Sequence, residues 1–420
     1  MEKNLLEKIF LDQQQDFKQP ISDIERIVDT SSHINSTQLI SIITGVRRCG
    51  KSTVLKKIRK ELPENVNVSY ASFEDPRLRS FTSEDFEHWY EIALMNSVHE
   101  NCMHYIFFDE IQLVNGWESW VDYFAKRINT KIFVTGSNAI LLSSEISTML
   151  TGRHLDVNLT PLFLKELIKN HSLHSPEERS SARKIYEQYK IRGGFPKVYI
   201  DGTISLLNQY YDDIIERDIL KRLQRTNPRY IIELGSILSS ESTRLFNKTK
   251  VAELLGVKNQ ETVVKYTKSF IASYLFYELR NYSPSVRKQL RSLSKFYCVD
   301  HALARETGMQ SPFDSGASLE TMVFAELSRR FKSIFYWKSA KDYEVDFLVI
   351  DRRKPILGVQ VSFTIKDKKT REREIRGLMA ANEELGIKEL IIVTDDESEY
   401  IKDENIRVMS FIEFALMDVI

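Results

Sequence analysis

Gln38-Leu39-Ile40-Ser41-Ile42-Ile43-Thr44 runs directly into Gly45-Val46-Arg47-Arg48-Cys49-Gly50-Lys51-Ser52, and that in turn into Thr53-Val54-Leu55-Lys56-Lys57. A short β-branched run that stops at glycine reads as a buried parallel strand, and the spacing after Ser52 reads as a helix. The eight residues between them fit GxxxxGK[ST] in the context that pattern requires. Its glycines let the backbone wrap, so that N–H groups and a helix N-terminus face anionic oxygens, while Lys51 adds a point charge. Gly45, Arg47, Arg48, Cys49, Gly50, Lys51, Ser52 and Thr53 are therefore the expected lining of a site for ATP, with Ser52 as a ligand of Mg2+.

Working outward, further apolar runs at 66–73, 103–108, 131–135 and 154–159 alternate with helical patterning, after a helical leader at the N-terminus. Such alternation predicts an α/β fold, a parallel sheet with helices on both faces. Tyr105-Ile106-Phe107-Phe108 delivers Asp109 and Glu110 to a strand end, where Asp109 is expected to hold Mg2+ and Glu110 to polarise a water. The strand at 131–135 ends in Gly136-Ser137-Asn138, offering a hydroxyl and an amide at the same edge. Arg153 precedes the last strand and is a candidate for a phosphate-directed arginine, in cis or between subunits; a solvated arginine is the competing reading.

GVRRCGKST, SFEDPRL, YIFFDEIQ, FVTGSNAILL and LTGRHLDVNLTPLFLKEL, in that order over about residues 38–168, resemble the prokaryotic AAA+-type P-loop ATPases that carry a C-terminal domain of unknown function with a nuclease-like fold. The resemblance implies nucleotide and magnesium at Lys51 and Ser52, a Walker B pair in Asp109 and Glu110, and a sensor in Asn138 or Ser137. It also makes Arg47, Arg48, Glu74, Asp75 and Arg153 family-type positions. For Glu74-Asp75-Pro76, a capping or ion-pair role stands beside a chemical one.

Beyond the first domain, 1–165, the pattern turns helical over 166–234, with candidates at 162–170, 181–191 and 204–225 and a break at Gly193-Gly194-Phe195-Pro196. Residues 247–257 and 261–270 then read as two short helices around a glycine turn, and 274–291 as a strand and basic wing, a winged helix-turn-helix over 235–310. Eleven basic against five acidic residues between 236 and 300 make this stretch +6. DNA is the expected partner through residues 247–291, with Lys258, Gln260, Lys265 and Lys268 on the recognition element; a protein-binding or packing module is the alternative.

Residues 311–420 follow an order of helix and strands that looks like the PD-(D/E)xK, restriction-endonuclease-like fold. In that resemblance Glu320 and Asp346 match acidic metal positions, Gln360 the second acid or glutamine, and Ser362 falls where the lysine should stand. With no ammonium there unless Lys338 or Lys366 substitutes, the expectation is a domain that does not cleave and instead binds a protein partner or packs structurally.

Composition bounds the rest. The 420 residues suit two to four units, and 42% hydrophobic with 28% charged residues is globular. Equal counts of 59 basic and 59 acidic residues exclude a global attraction to nucleic acid or membrane. Three dispersed cysteines fit neither a disulfide framework nor a zinc site, and the reading is a cytoplasmic protein without membrane segments. Three functions stay open: an Mg2+-dependent ATPase coupled to DNA or protein binding, an ATP-gated switch with negligible turnover, and a metal-dependent nuclease.

Overall fold

Each of the five apolar runs in the first 160 residues forms a strand: β1 (Ile40–Gly45), β2 (Asn67–Ser72), β3 (His104–Asp109), β4 (Thr130–Gly136) and β5 (His154–Leu159). This is a computed structural model, and it describes all residues except 21–23, 140–152, 169–172, 224–225, 310–313, 396–397, 402–403 and 418–420. The strands pair in parallel in the order β2-β3-β4-β1-β5. Parallel pairing brings every strand's C-terminal end to one edge, so Gly45, Asp109 and Gly136 are neighbours there. The strand β4 lies between β1 and β3, which places Gly136-Ser137-Asn138 between the glycine loop and the paired acids.

Apolar side chains on one face of this sheet, Ile42, Ile106, Phe108, Ile132 and Val134, pack with Phe86, Trp89 and Phe124 from the helices Asp85–Met95 and Trp117–Ala125. Phe73, Phe81, Phe86 and Phe108 make a chain of edge-on and tilted ring contacts at 5.0–5.9 Å. Burying each such ring stabilises by about 1.5–3 kcal/mol.

The leader is the helix Lys3–Lys18, and it solves the edge problem of β2. Gln14 accepts from the Tyr70 N–H at 3.0 Å and donates to the Tyr70 carbonyl at 2.8 Å. Gln13 does the same at Ser72, both at 3.1 Å. Two side-chain amides thus satisfy the outward-facing backbone groups of an edge strand, as another strand would.

The chain divides into two compact units, Met1–Thr160 with Ala272–Tyr274, and Pro161–Ile271 with Leu275–Ile420. In the second unit the helical expectations resolve into Leu164–Leu167, Pro176–Arg192 and Leu206–Ile214, the last running into a π-helical turn, Ile215–Leu220. The ends of two of these expectations, at 169–170 and 224–225, lie outside the described residues. The break at Gly193-Gly194 is a packed junction. Gly194 N–H donates to Asp300 Oδ2 at 2.6 Å, and its carbonyl accepts from Leu162 N–H at the same distance.

Helices Lys248–Leu255 and Gln260–Ala272 meet at Gly256, φ +67°, and accompany a three-stranded antiparallel sheet of order β6-β8-β7: β6 (Leu245–Phe246), β7 (Phe276–Leu279) and β8 (Ser294–Cys298). The expected basic wing is different in form. Arg287 to Arg291 lie in a helix, Val286–Arg291, between β7 and β8, because Val286-Arg287-Lys288-Gln289-Leu290-Arg291 holds good helix formers and no alternation.

The C-terminal sheet has six strands in the order β13-β14-β12-β11-β10-β9: β9 (Ile334–Lys338), β10 (Glu344–Asp351), β11 (Lys354–Val361), β12 (Glu389–Thr394), β13 (Glu399–Ile401) and β14 (Ile406–Ser410). It is mixed, antiparallel at both ends and parallel from β11 through β12 to β14. Helices Ser315–Arg330 and Lys368–Leu385 accompany it. The last two strands carry little signal in the sequence because they are three and five residues long and are flanked by charged residues.

Replacing Gln13 and Gln14 together by alanine should destabilise the first unit by about 2–4 kcal/mol, since four backbone partners lose their bonds. Urea unfolding measures the loss. Sedimentation should show self-association through the uncovered edge of β2.

Candidate functional site

The glycine loop begins where β1 meets β5. A Cβ on Gly45, at φ +148°, would stand 1.9 Å from the Leu159 carbonyl oxygen, so a side chain there would force the strands apart. Gly50, at φ +101°, turns the chain into the helix Lys51–Glu61. Arg48 takes φ +70° with its side chain exposed, whereas Arg47 is buried and ion-paired with Glu74. The Cys49 thiol is buried and donates to the Leu159 carbonyl at 3.3 Å, so its side chain faces the sheet and only its backbone can line the loop. Thr53 is half-buried one position after Ser52.

Lys51 is 5% exposed and reaches three acceptors: the Gly45 carbonyl at 3.1 Å, the Val46 carbonyl at 3.3 Å and Glu110 Oε1 at 3.0 Å. Ser52 Oγ donates to Asp109 Oδ2 at 2.6 Å. Tyr70 donates to the same oxygen at 3.0 Å, and Thr135 donates to the other one. Glu110 sits at φ +53° with its N–H donated to Thr135 Oγ1 at 2.9 Å. Its Oε2 accepts from Gln112 at 2.6 Å and from the Ser137 N–H at 3.2 Å. Asn138, next along, is fully buried.

The loop, the acids and Ser137 therefore come together, and Tyr70, Thr135 and Gln112 join them. Thr135 and Gln112 lie inside the quoted motifs without a role assigned to them there, and Tyr70 lies outside every motif. Arg26 is another addition, buried, donating to the Cys49 carbonyl at 2.5 Å and the Thr160 carbonyl at 2.8 Å. It ties the loop to the exit of β5, and no local pattern marks it.

Burial raises the Asp109 carboxyl, with Glu110 beside it adding to the rise against Ser52, Thr135 and Lys51. For Glu110 burial also acts upward, but Lys51 and Arg47 outweigh it and bring the carboxyl to about 2. Burial lowers the Lys51 ammonium, and Glu110 more than restores it. One hydroxyl beside one buried carboxylate is the share of ligands that Mg2+ takes from protein when phosphate oxygens and water complete its shell. The residues fit that pair of ligands.

Asp75 caps the turn Pro76–Leu78, accepting from the Arg77 N–H at 2.9 Å, so its capping reading holds. Arg153 does not join the site. The β5 register pairs His154 with Ile40 and Leu159 with Gly45. Exposed Arg153 is thus at the opposite edge of the sheet, about 17 Å away at the rise of a strand, and the cis role fails on distance.

The C-terminal acids do converge. Glu344 Oε1, Glu320 Oε1 and Asp346 Oδ1 lie 2.8, 3.4 and 3.5 Å from the ammonium of Lys295 in β8. Tyr297 donates to Glu320 at 2.6 Å. Gln360 accepts from the Asp346 N–H at 3.3 Å and donates to Glu374 at 2.6 Å. Ser362 donates to the Thr364 carbonyl at 2.9 Å. Burial, with Asp346 beside it, pushes Glu320 to about 7. Lys338 touches the cluster only through Glu344, at 3.7 Å, and is paired with Asp342 at 3.2 Å, whereas Lys366 is exposed; the ammonium that all three acids share is that of Lys295. In sequence Lys295 counts with the basic stretch, yet Lys295 and Tyr297 share a strand face and are 4% and 0% exposed. The period-two alternation of Ser294-Lys295-Phe296-Tyr297-Cys298 is the signal that marks that face.

Comparison with known family models matches three segments of the chain. Residues 37–168 match the AAA domain, 183–312 the Domain of unknown function (DUF8612) and 315–414 the Domain of unknown function (DUF4143). An uncharacterized protein of Methanocaldococcus jannaschii is 32% identical over 85% of this chain and 82% of its own length. An uncharacterized protein of Haemophilus influenzae is 30% identical over 79% and 84%. The chain belongs to their family. Its first unit is an AAA-type P-loop ATPase domain. Among solved structures it is similar to a Walker-type ATPase of Pyrococcus abyssi, at 17% identity and TM-score 0.42 over 69% of this chain and 98% of that one. The RuvB Holliday junction branch migration motor of Thermotoga maritima is similar at 16% identity and TM-score 0.30, over 67% and 94%. No helix among the described residues is long and apolar enough to cross a membrane.

Because the folded Glu110 carboxyl titrates below the ordinary value of about 4.3, its pairing contributes stability above that pH and loses it as pH falls toward 2. The stability difference between wild type and Glu110→Gln should be constant from pH 7 to about 5 and shrink below about 4.3. Chemical unfolding as a function of pH checks it; a flat difference down to about pH 2.5 would remove the pair from the stability of this unit.

Proposed function

We propose that this protein binds ATP with Mg2+, hydrolyses it, and uses nucleotide state to govern DNA binding through residues 247–291. The observation that carries the reading is the convergence of Lys51, Ser52, Asp109 and Glu110 at one sheet edge. In this reading Lys51 gives up Glu110 and the loop carbonyls for β- and γ-phosphate oxygens. Glu110 is then a free carboxylate already oriented by Gln112 and the Ser137 N–H, placed to polarise an attacking water. Asn138 and Ser137, at the end of the strand between loop and acids, are placed to register the γ-phosphate. Bound Mg2+, held by Ser52 and Asp109, would neutralise charge on the phosphate oxygens.

The DNA-binding half rests on exposed charge. Arg244, Lys248, Lys250, Lys258, Lys265, Lys268, Arg280, Arg287, Lys288 and Arg291 are exposed. Asn247 caps the first helix, accepting from the N–H groups of Thr249 and Lys250 at 3.0 and 3.2 Å, and Lys265 and Lys268 stand on the second. Such charge, set on helices around a glycine turn, suits phosphate neutralisation.

Lys51→Ala should abolish tight nucleotide binding. Glu110→Gln should keep binding while turnover falls by about 10²–10⁴-fold. Binding and hydrolysis are read by calorimetry and phosphate release; wild-type turnover in both variants defeats the assignment, and tight binding with no turnover in wild type leaves an ATP-gated switch.

Replacing Lys258, Lys265 and Lys268 by alanine should weaken DNA binding and flatten its dependence on log salt by about 0.9 per lost phosphate contact. Titrations with and without ATP test the coupling. No DNA affinity at low salt would turn the same surface toward a protein partner.

A further inference from the structure

Glu320, Asp346 and Gln360 are the positions at which the nuclease-like resemblance implies a divalent cation; the structure adds Glu344 to the two acids, and the donor set does not fit one. A hard cation needs carboxylate oxygens at about 2.0–2.6 Å that point into an open position. Here they point at an ammonium. Lys295 Nζ stands 2.8–3.5 Å from an oxygen of each of the three carboxylates. Of the other oxygens, Asp346 Oδ2 accepts from the Val361 N–H at 2.9 Å and Glu344 Oε2 lies 3.7 Å from the ammonium of Lys338; Tyr297 donates to the same Glu320 Oε1 that faces Lys295, and Glu374 is held by Gln360 and Arg373. Among the described residues, no group of three His, Cys, Asp or Glu is arranged to hold a metal.

Nor can Lys295 swing away at small cost. It belongs to β8, the central strand of its sheet, paired with Leu245 on one side and Leu279 on the other. Its main chain is held on both flanks, and at 4% exposure its charge has no water to return to. A buried ammonium needs its carboxylates as much as they need it, and removing either partner is strongly destabilising. A divalent cation arriving at the same oxygens would meet a fixed positive charge.

We propose that the ammonium of Lys295 occupies the divalent-cation position of this acid cluster, so that the nuclease-like centre is closed by the chain's own side chain and takes no metal. The three acids then serve to bury Lys295 and to fasten β8 to the helix Ser315–Arg330 and to β10.

The test is Mn2+ titration of the full-length, nucleotide-free protein, followed by electron paramagnetic resonance. Wild type and Asp346→Asn should bind Mn2+ identically, because the acid contributes nothing to metal affinity. Lys295→Met should open a site that binds Mn2+ at least tenfold more tightly than wild type, and Lys295→Met with Asp346→Asn should lose that gain. Wild-type Mn2+ affinity that falls in Asp346→Asn overturns the proposal, as does a folded Lys295→Met with no gain. If Lys295→Met does not fold, the comparison of wild type with Asp346→Asn decides alone: dependence on Asp346 overturns, independence upholds.

Discussion

The first unit depends on one buried ion pair reaching across its sheet. Lys51 follows β1, Glu110 follows β3, and β4 separates the two strands, yet the ammonium and carboxylate stand 3.0 Å apart at their common edge. Neither charge could be buried alone. The pair spans the end of β4, and from that end the Ser137 N–H donates to Glu110. Loop, acids and the end of β4 thus form one electrostatic unit, in which a new anion near Lys51 changes the surroundings of Glu110 directly.

Lysines are buried at two of these clusters with different consequences. Lys51 shares itself among two carbonyls and one carboxylate at the start of a helix, where in the proposed reading a phosphate replaces each partner. Lys295 stands in a central strand with three carboxylates around it. The first arrangement is exchangeable because carbonyl acceptors give up an ammonium at small cost when a doubly charged oxygen cluster arrives. The second is self-sufficient, since three acids within 3.5 Å leave the ammonium no electrostatic reason to move.

Support for the loop comes from contacts that the motif pattern does not specify. Arg26 holds the Cys49 and Thr160 carbonyls, Cys49 itself is turned into the sheet, and Gly45 gives room for Leu159. Tyr70 reaches Asp109 from β2, whose outer edge is capped by Gln13 and Gln14. The N-terminal helix is therefore part of the frame that holds β2, and through Tyr70 it bears on Asp109.

The sequence alone determined the strands of the first sheet, the glycine loop and the acids at 109 and 110, because those depend on local quantities: β-branched runs, glycine at a sharp exit, charge at a strand end. It also determined the helices at 248–255 and 260–272, whose apolar spacing and glycine turn are local too. Strand order lay beyond it, since only pairing across the sheet puts β4 between β1 and β3. So did the identity of Lys295. In sequence it is one basic residue in a basic stretch, and only its place in a central strand, beside acids 25, 49 and 51 positions away, turns a surface charge into the buried counterion of a cluster. Propensity acts between near neighbours, whereas the partners of a buried charge are chosen by the fold as a whole.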